Sequence, residues 1–88
     1  MQIPKLRVLV EAGAVRAVAV SYAADAGGWT AQVTYASRHG ERREILERQR
    51  GGTRVFATLD AAARALAGLG LPAFRVNAAG LAGEEEPP

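Results

Sequence analysis

The chemistry available to this chain is narrow. It has one histidine, no cysteine, and, ahead of its C-terminal acidic run, only Glu11, Asp25, Glu41, Glu44, Glu47 and Asp60 as carboxylates. A transition-metal centre needs several His or Cys ligands, and nucleophilic catalysis needs a base poised beside a nucleophile. His39 has no second histidine to work with, and it falls in a predicted hairpin turn beside Arg38, where a solvated turn residue is the commoner arrangement. No catalytic set, no metal site and no cofactor site is implied, and an enzyme would require groups supplied by a partner. Two glycine-rich stretches, Asp25-Ala26-Gly27-Gly28 and Arg50-Gly51-Gly52, lack the lysine and Ser/Thr of a phosphate-binding loop and the three-glycine dinucleotide fingerprint. Turn formation accounts for both.

What stands out instead is arginine. Ten of the eleven basic residues are arginine, and six of them, Arg38, Arg42, Arg43, Arg48, Arg50 and Arg54, occupy one stretch opposed only by Glu41, Glu44 and Glu47. Three of the nine acids, Glu84, Glu85 and Glu86, sit together before the final prolines, so the rest of the chain sets 11 bases against 6 acids, a net of +5. A run of cations along one surface is what a phosphate backbone requires. The six arginines are therefore the candidate nucleic-acid contacts, for DNA or RNA. Two other readings stand beside this one: a solvated strand laced with salt bridges, and an arginine bias inherited from a G+C-rich genome.

These side chains need a scaffold. A length of 88 residues provides one core, and 49% hydrophobic with 23% charged residues is the composition of a folded globular domain. The longest apolar run, from Leu6 to Val20, is broken by Arg7, Glu11 and Arg16, so neither a secretory leader nor a membrane span is expected. The absence of cysteine fits a reducing cytoplasm.

Leu6, Leu9 and Val10 at helical spacing, with Pro4 in the first turn and Gly13 at the end, predict a short helix over Ile3 to Ala12, although Val8 and Val10 also suit a strand. Two-residue alternation then predicts strands over Val15–Tyr22 and Trp29–Tyr35, separated by a turn at 25–28. Arg38-His39-Gly40 turns the chain into a third strand, Arg42 to Arg48, with Arg43 and Glu47 on one face and Glu44, Leu46 and Arg48 on the other. A short extended lead-in over Arg54 to Ala57 reaches Thr58, which caps a helix whose apolar stripe is Leu59, Ala62, Ala63, Leu66 and Leu69. Gly70 and Pro72 end it, and Phe74 to Val76 form a last strand. The fold class is α+β, a single α-β-β-β-α-β domain over residues 3–77, with an antiparallel meander and both helices on one face; residues 78–88 are expected to be a disordered acidic tail. Trp29 and Tyr35 are expected in the core rather than as base-stacking platforms.

The α-β-β-β-α order matches the double-stranded RNA-binding domain in topology, but Thr58-Leu59-Asp60-Ala61 places an acid where that module carries its lysines. A closer resemblance is to the ParC-family partition-associated proteins of bacterial plasmids and integrative elements. It is carried by Ile3-Pro4-Lys5-Leu6, by Leu9 through Val15, by Arg50 through Leu66, and by Leu69-Gly70-Leu71 with Phe74-Arg75-Val76. The resemblance implies an accessory role near partition genes and offers no catalytic residues to carry over. Two functions are compatible with these features: a non-enzymatic nucleic-acid-binding accessory protein, or a protein-interaction module, either a homodimer, an adaptor or the partner of another partition-related protein.

Overall fold

The computed structural model describes residues 1–84. Helix α1 spans Ile3–Glu11, followed by strands β1 (Val15–Ala23), β2 (Gly28–Ser37) and β3 (Gly40–Ile45), helix α2 (Leu59–Gly68), strand β4 (Arg75–Asn77) and a 3-10 helix over Ala79–Glu84. The α+β order α-β-β-β-α-β is as expected. The region 4–12 that suited either helix or strand is helical, with proline in its first turn and Gly13 at φ 67 just past its end. There the Ala14 N–H donates to the Leu9 carbonyl at 2.9 Å, so the glycine lets the last turn close.

The sheet has the order β3-β2-β1-β4. Strands β1, β2 and β3 form the expected antiparallel meander, but β4 adds to β1 in parallel, with Val20 beside Val76, so the complete sheet is mixed. A parallel neighbour needs a long crossover, and the segment containing α2 supplies it.

Register sorts the side chains by face. Val18 pairs with Val33, Val20 with Ala31 and Tyr22 with Trp29, so alternate residues of β1 and β2 point the same way. That face meets Leu6 of α1 and Ala62 and Leu66 of α2 in a continuous core with Leu46 and Phe56. Both helices thus cover one side of the sheet. Full burial of Leu6 and Leu66 contributes roughly 1.5–3 kcal/mol each. Trp29 and Tyr35 are core residues, as expected.

Two boundaries differ from the sequence expectation. β3 ends at Ile45 rather than Arg48, because the Glu47 N–H turns away to donate to the Met1 carbonyl at 2.7 Å. The assignment of Glu47 and Arg48 to opposite faces of that strand therefore fails. Order also continues past residue 77: Ala79–Glu84 form the 3-10 helix, Leu81 packs on the core, and Gly80 lies so close to β1 that a Cβ there would collide with the Tyr22 carbonyl oxygen. Ala79–Glu84, part of the stretch expected to be a disordered tail, is helical. The rest of that tail, 85–88, lies outside the described residues.

Candidate nucleic-acid interface

Beyond β3 the chain folds into a small hairpin. Glu47 bridges Thr53, the Arg48 N–H donates to the Gly52 carbonyl at 2.8 Å, and the Arg54 N–H returns to the Leu46 carbonyl at 2.9 Å. Gly51 and Gly52 have φ values of 89 and 79, a region that residues with a Cβ rarely occupy. Gly52 also faces the Arg48 side chain, whose Nη2 would lie 2.9 Å from an added Cβ. Arg48 Nε donates to the Gly51 carbonyl at 3.2 Å, so this arginine closes its own loop. Arg50, at the tip, is exposed.

Next along the chain, the Trp29 and Phe56 backbones exchange two hydrogen bonds of 2.8 Å, which fixes Phe56 beside the start of β2 where β3 has already ended. The expected lead-in at 54–57 is in this way joined to the sheet. The Arg54 guanidinium lies over the buried Phe56 ring, 4.9 Å from its centroid. Arg48, Gln49, Arg50, Arg54 and Val55 together line an open depression of about 570 Å³.

The other three candidates are elsewhere. Arg38 lies with His39 in the β2–β3 turn, where the Ser37 hydroxyl accepts from the His39 N–H and donates to the Gly40 carbonyl. Arg42 pairs with Tyr35 and Arg43 with Thr34, so they project from opposite faces of β3. The six residues of β3 separate that turn from the loop, roughly 20 Å of rise. The six arginines consequently do not share one surface. Arg48, Arg50 and Arg54 come together, whereas Arg43 joins Arg16, Arg75 and Glu41 on the open face of the sheet.

Ion pairing decides how much of this charge is available. Among the described residues no arginine has an acidic partner: the ion pairs use the Met1 amine, with Glu44 at 3.7 Å and Glu47 at 2.9 Å, and Lys5, with Glu44 at 2.7 Å. The Tyr35 hydroxyl also donates to Glu44. Hydrogen bonds from Lys5 first and Tyr35 second hold the Glu44 carboxyl at about 2, and the same carboxylate raises the Lys5 ammonium above its ordinary value. The salt-bridged strand is therefore not what forms. Two of the three acids set among the arginines are engaged by groups from the N-terminal segment.

Sequence reasoning missed Arg7 and Arg64. They project from α1 and α2 beside Arg54, and the 3, 7, 10 spacing that puts Arg7 on one helical stripe with Ile3 and Val10 was the available signal. Among the described residues no cluster of three or more His, Asp or Glu could hold a metal ion, and no helix is long and apolar enough to cross a membrane.

A family model described as ParC-like matches residues 2–83, and the chain belongs to that family. No curated protein and no solved structure matches it.

Proposed function

We propose that this ParC-like chain is a non-enzymatic accessory protein of the bacterial cytoplasm that binds nucleic acid through the Arg48–Arg54 loop, in support of the partition of a mobile element. The observation that carries this reading is that, among the described residues, these arginines have no acidic partner. Arg50 and Arg54 stand in an open depression with no carboxylate in its lining, while Glu44 and Glu47 are held by Lys5 and the Met1 amine. Cations left uncompensated in this way release condensed counterions when they meet phosphate. Arg54, whose guanidinium lies over the Phe56 ring, has N–H groups available for charge-assisted hydrogen bonds to phosphate.

A homodimer built by pairing β3 edges is less well supported. In the antiparallel register that pairs all of Glu41-Arg42-Arg43-Glu44 with its copy, Glu41 meets Glu44 and Arg42 meets Arg43, like charge against like.

Fluorescence anisotropy of a labelled DNA duplex and of an RNA duplex, titrated at several salt concentrations, tests the proposal. Saturable binding that weakens steeply with salt is expected. No binding at low salt overturns it.

A further inference from the structure

A second cationic surface lies along the seam between the two helices. Ile3 and Arg7 of α1, Arg64, Ala65 and Gly68 of α2, Leu69, and Leu46, Arg54 and Phe56 enclose a groove of about 300 Å³. Two neighbouring hollows share lining residues with it, Ile3, Arg7 and Arg54 in one and Arg7, Gly68 and Leu69 in the other. Three guanidinium groups, from Arg7, Arg54 and Arg64, stand around it, and none has an acidic partner among the described residues. Glu47, which reaches the first hollow, already binds the Met1 amine. Glu11 lines the hollow shared with Val10 and Gly70 and is absent from the lining of the groove itself.

The floor decides which anion fits. Leu46 and Phe56 are buried beneath it, and Ile3, Ala65 and Leu69 are half-buried along its walls. A phosphodiester backbone is polar throughout and gains nothing from these groups. A peptide that alternates apolar and acidic side chains uses both the floor and the rim, which is how a helix-in-groove contact combines anchors with charge complementarity.

We propose that the α1–α2 groove is a docking site for an acidic amphipathic segment of a protein partner. Its apolar side chains rest on Ile3, Ala65 and Leu69, and its carboxylates meet Arg7, Arg54 and Arg64. Arg54 is shared with the nucleic-acid loop, so the protein would link a partner to DNA, while Arg7 and Arg64 lie outside that loop and give the groove two guanidinium groups of its own.

The test uses the full chain labelled with ¹⁵N and a synthetic helical peptide with leucines at i, i+4 and i+7 and glutamates between them. Saturable shifts of the Ile3, Arg7, Ala65 and Leu69 amides are expected. The double variant Arg7→Glu, Arg64→Glu should weaken the peptide by about tenfold or more, with its remaining spectrum unchanged. A control peptide of the same charge with serine for leucine should bind at least about tenfold more weakly. Equal binding of that control, or no saturable shift with the leucine peptide, overturns the proposal. So do three other outcomes: a DNA duplex moving these amides as strongly as that of Arg50, concentration-dependent shifts of the protein alone, which would assign the groove to a second copy, and the same shifts on deleting residues 84–88, which would assign it to the chain's own end. Absence of DNA binding with peptide binding retained would defeat the nucleic-acid reading and leave this one standing.

Discussion

Lys5 Nζ lies 2.7 Å from Glu44 Oε2 and 3.2 Å from the Tyr35 hydroxyl, tying α1 to the edge strand β3 across 39 residues of sequence and to β2 across 30. This contact withdraws Glu44 from Arg42, which precedes it by two residues on the same face of β3. Together with the Met1 amine on Glu47, this pairing occupies two of the three acids that lie among the arginines in sequence.

Because the Glu44 carboxyl is held at about 2 against an ordinary 4.5, its contribution to stability is complete above pH 4.5 and is lost as pH falls towards 2. The Lys5 contribution runs the other way: it is complete below 10.5 and is lost as pH rises through the higher folded value. Glu44→Gln should cost about 1 kcal/mol at neutral pH, well short of the full shift because both side chains are partly solvated, and should flatten the acid limb. Urea denaturation at pH 7 and pH 3 measures this. An acid limb as steep in the variant as in the parent would contradict it.

The loop arginines should dominate phosphate binding. Arg50→Ala and Arg54→Ala are each expected to lower the slope of log K against log salt by about one, whereas Arg38→Ala, at the distant turn, leaves the slope unchanged. Anisotropy titrations between low and moderate salt distinguish these cases. Equal losses at all three positions would mean that only total charge matters.

Gly28 begins β2 under the Phe56 segment, and a Cβ there would stand 2.6 Å from both the Phe56 carbonyl oxygen and Val55 Cγ1. Gly28→Ala must push that segment off the sheet and break the paired hydrogen bonds between Trp29 and Phe56. A loss of roughly 2 kcal/mol is expected, together with weaker nucleic-acid binding, since Arg54 rides on Phe56. Thermal melts read the first effect and anisotropy the second; a variant as stable as the parent would show that the segment is free to shift.

Deleting residues 84–88 removes three glutamates. Affinity for duplex DNA should rise about twofold to threefold at low salt and converge with that of the full chain as screening increases. Unchanged low-salt affinity would show that these acids do not compete for the arginines.

The local features of this fold were legible in the sequence. Thr58 caps α2 as its position suggested, accepting from the Ala61 N–H at 3.0 Å, and the alternation from Trp29 to Tyr35 marks the central buried face. What local pattern could not show was the choice made between distant groups. β3 stops at Ile45 because Glu47 finds the Met1 carbonyl, and nothing near Glu47 in sequence announces that partner. Six clustered arginines looked like one surface, yet alternation along β3 splits Arg42 from Arg43, and the early end of the strand turns Arg48 back onto Gly51. The acidic composition after residue 78 likewise concealed Gly80 and Leu81, whose small size and apolar side chain seat the 3-10 helix against β1 and the core.

The parallel strand carries a consequence for the order of assembly. Val20 and Val76 are neighbours in the sheet but 56 positions apart in the chain, whereas Tyr22 meets Trp29 across a single tight turn. Closing the larger loop costs more chain entropy, so the meander can nucleate first while β4 and the 3-10 helix zip on afterwards as a late clasp. Val76→Ala should then accelerate unfolding and leave the refolding rate nearly unchanged, the signature of a contact absent from the transition state. Stopped-flow refolding that slowed in proportion to the lost stability would place β4 in the nucleus instead.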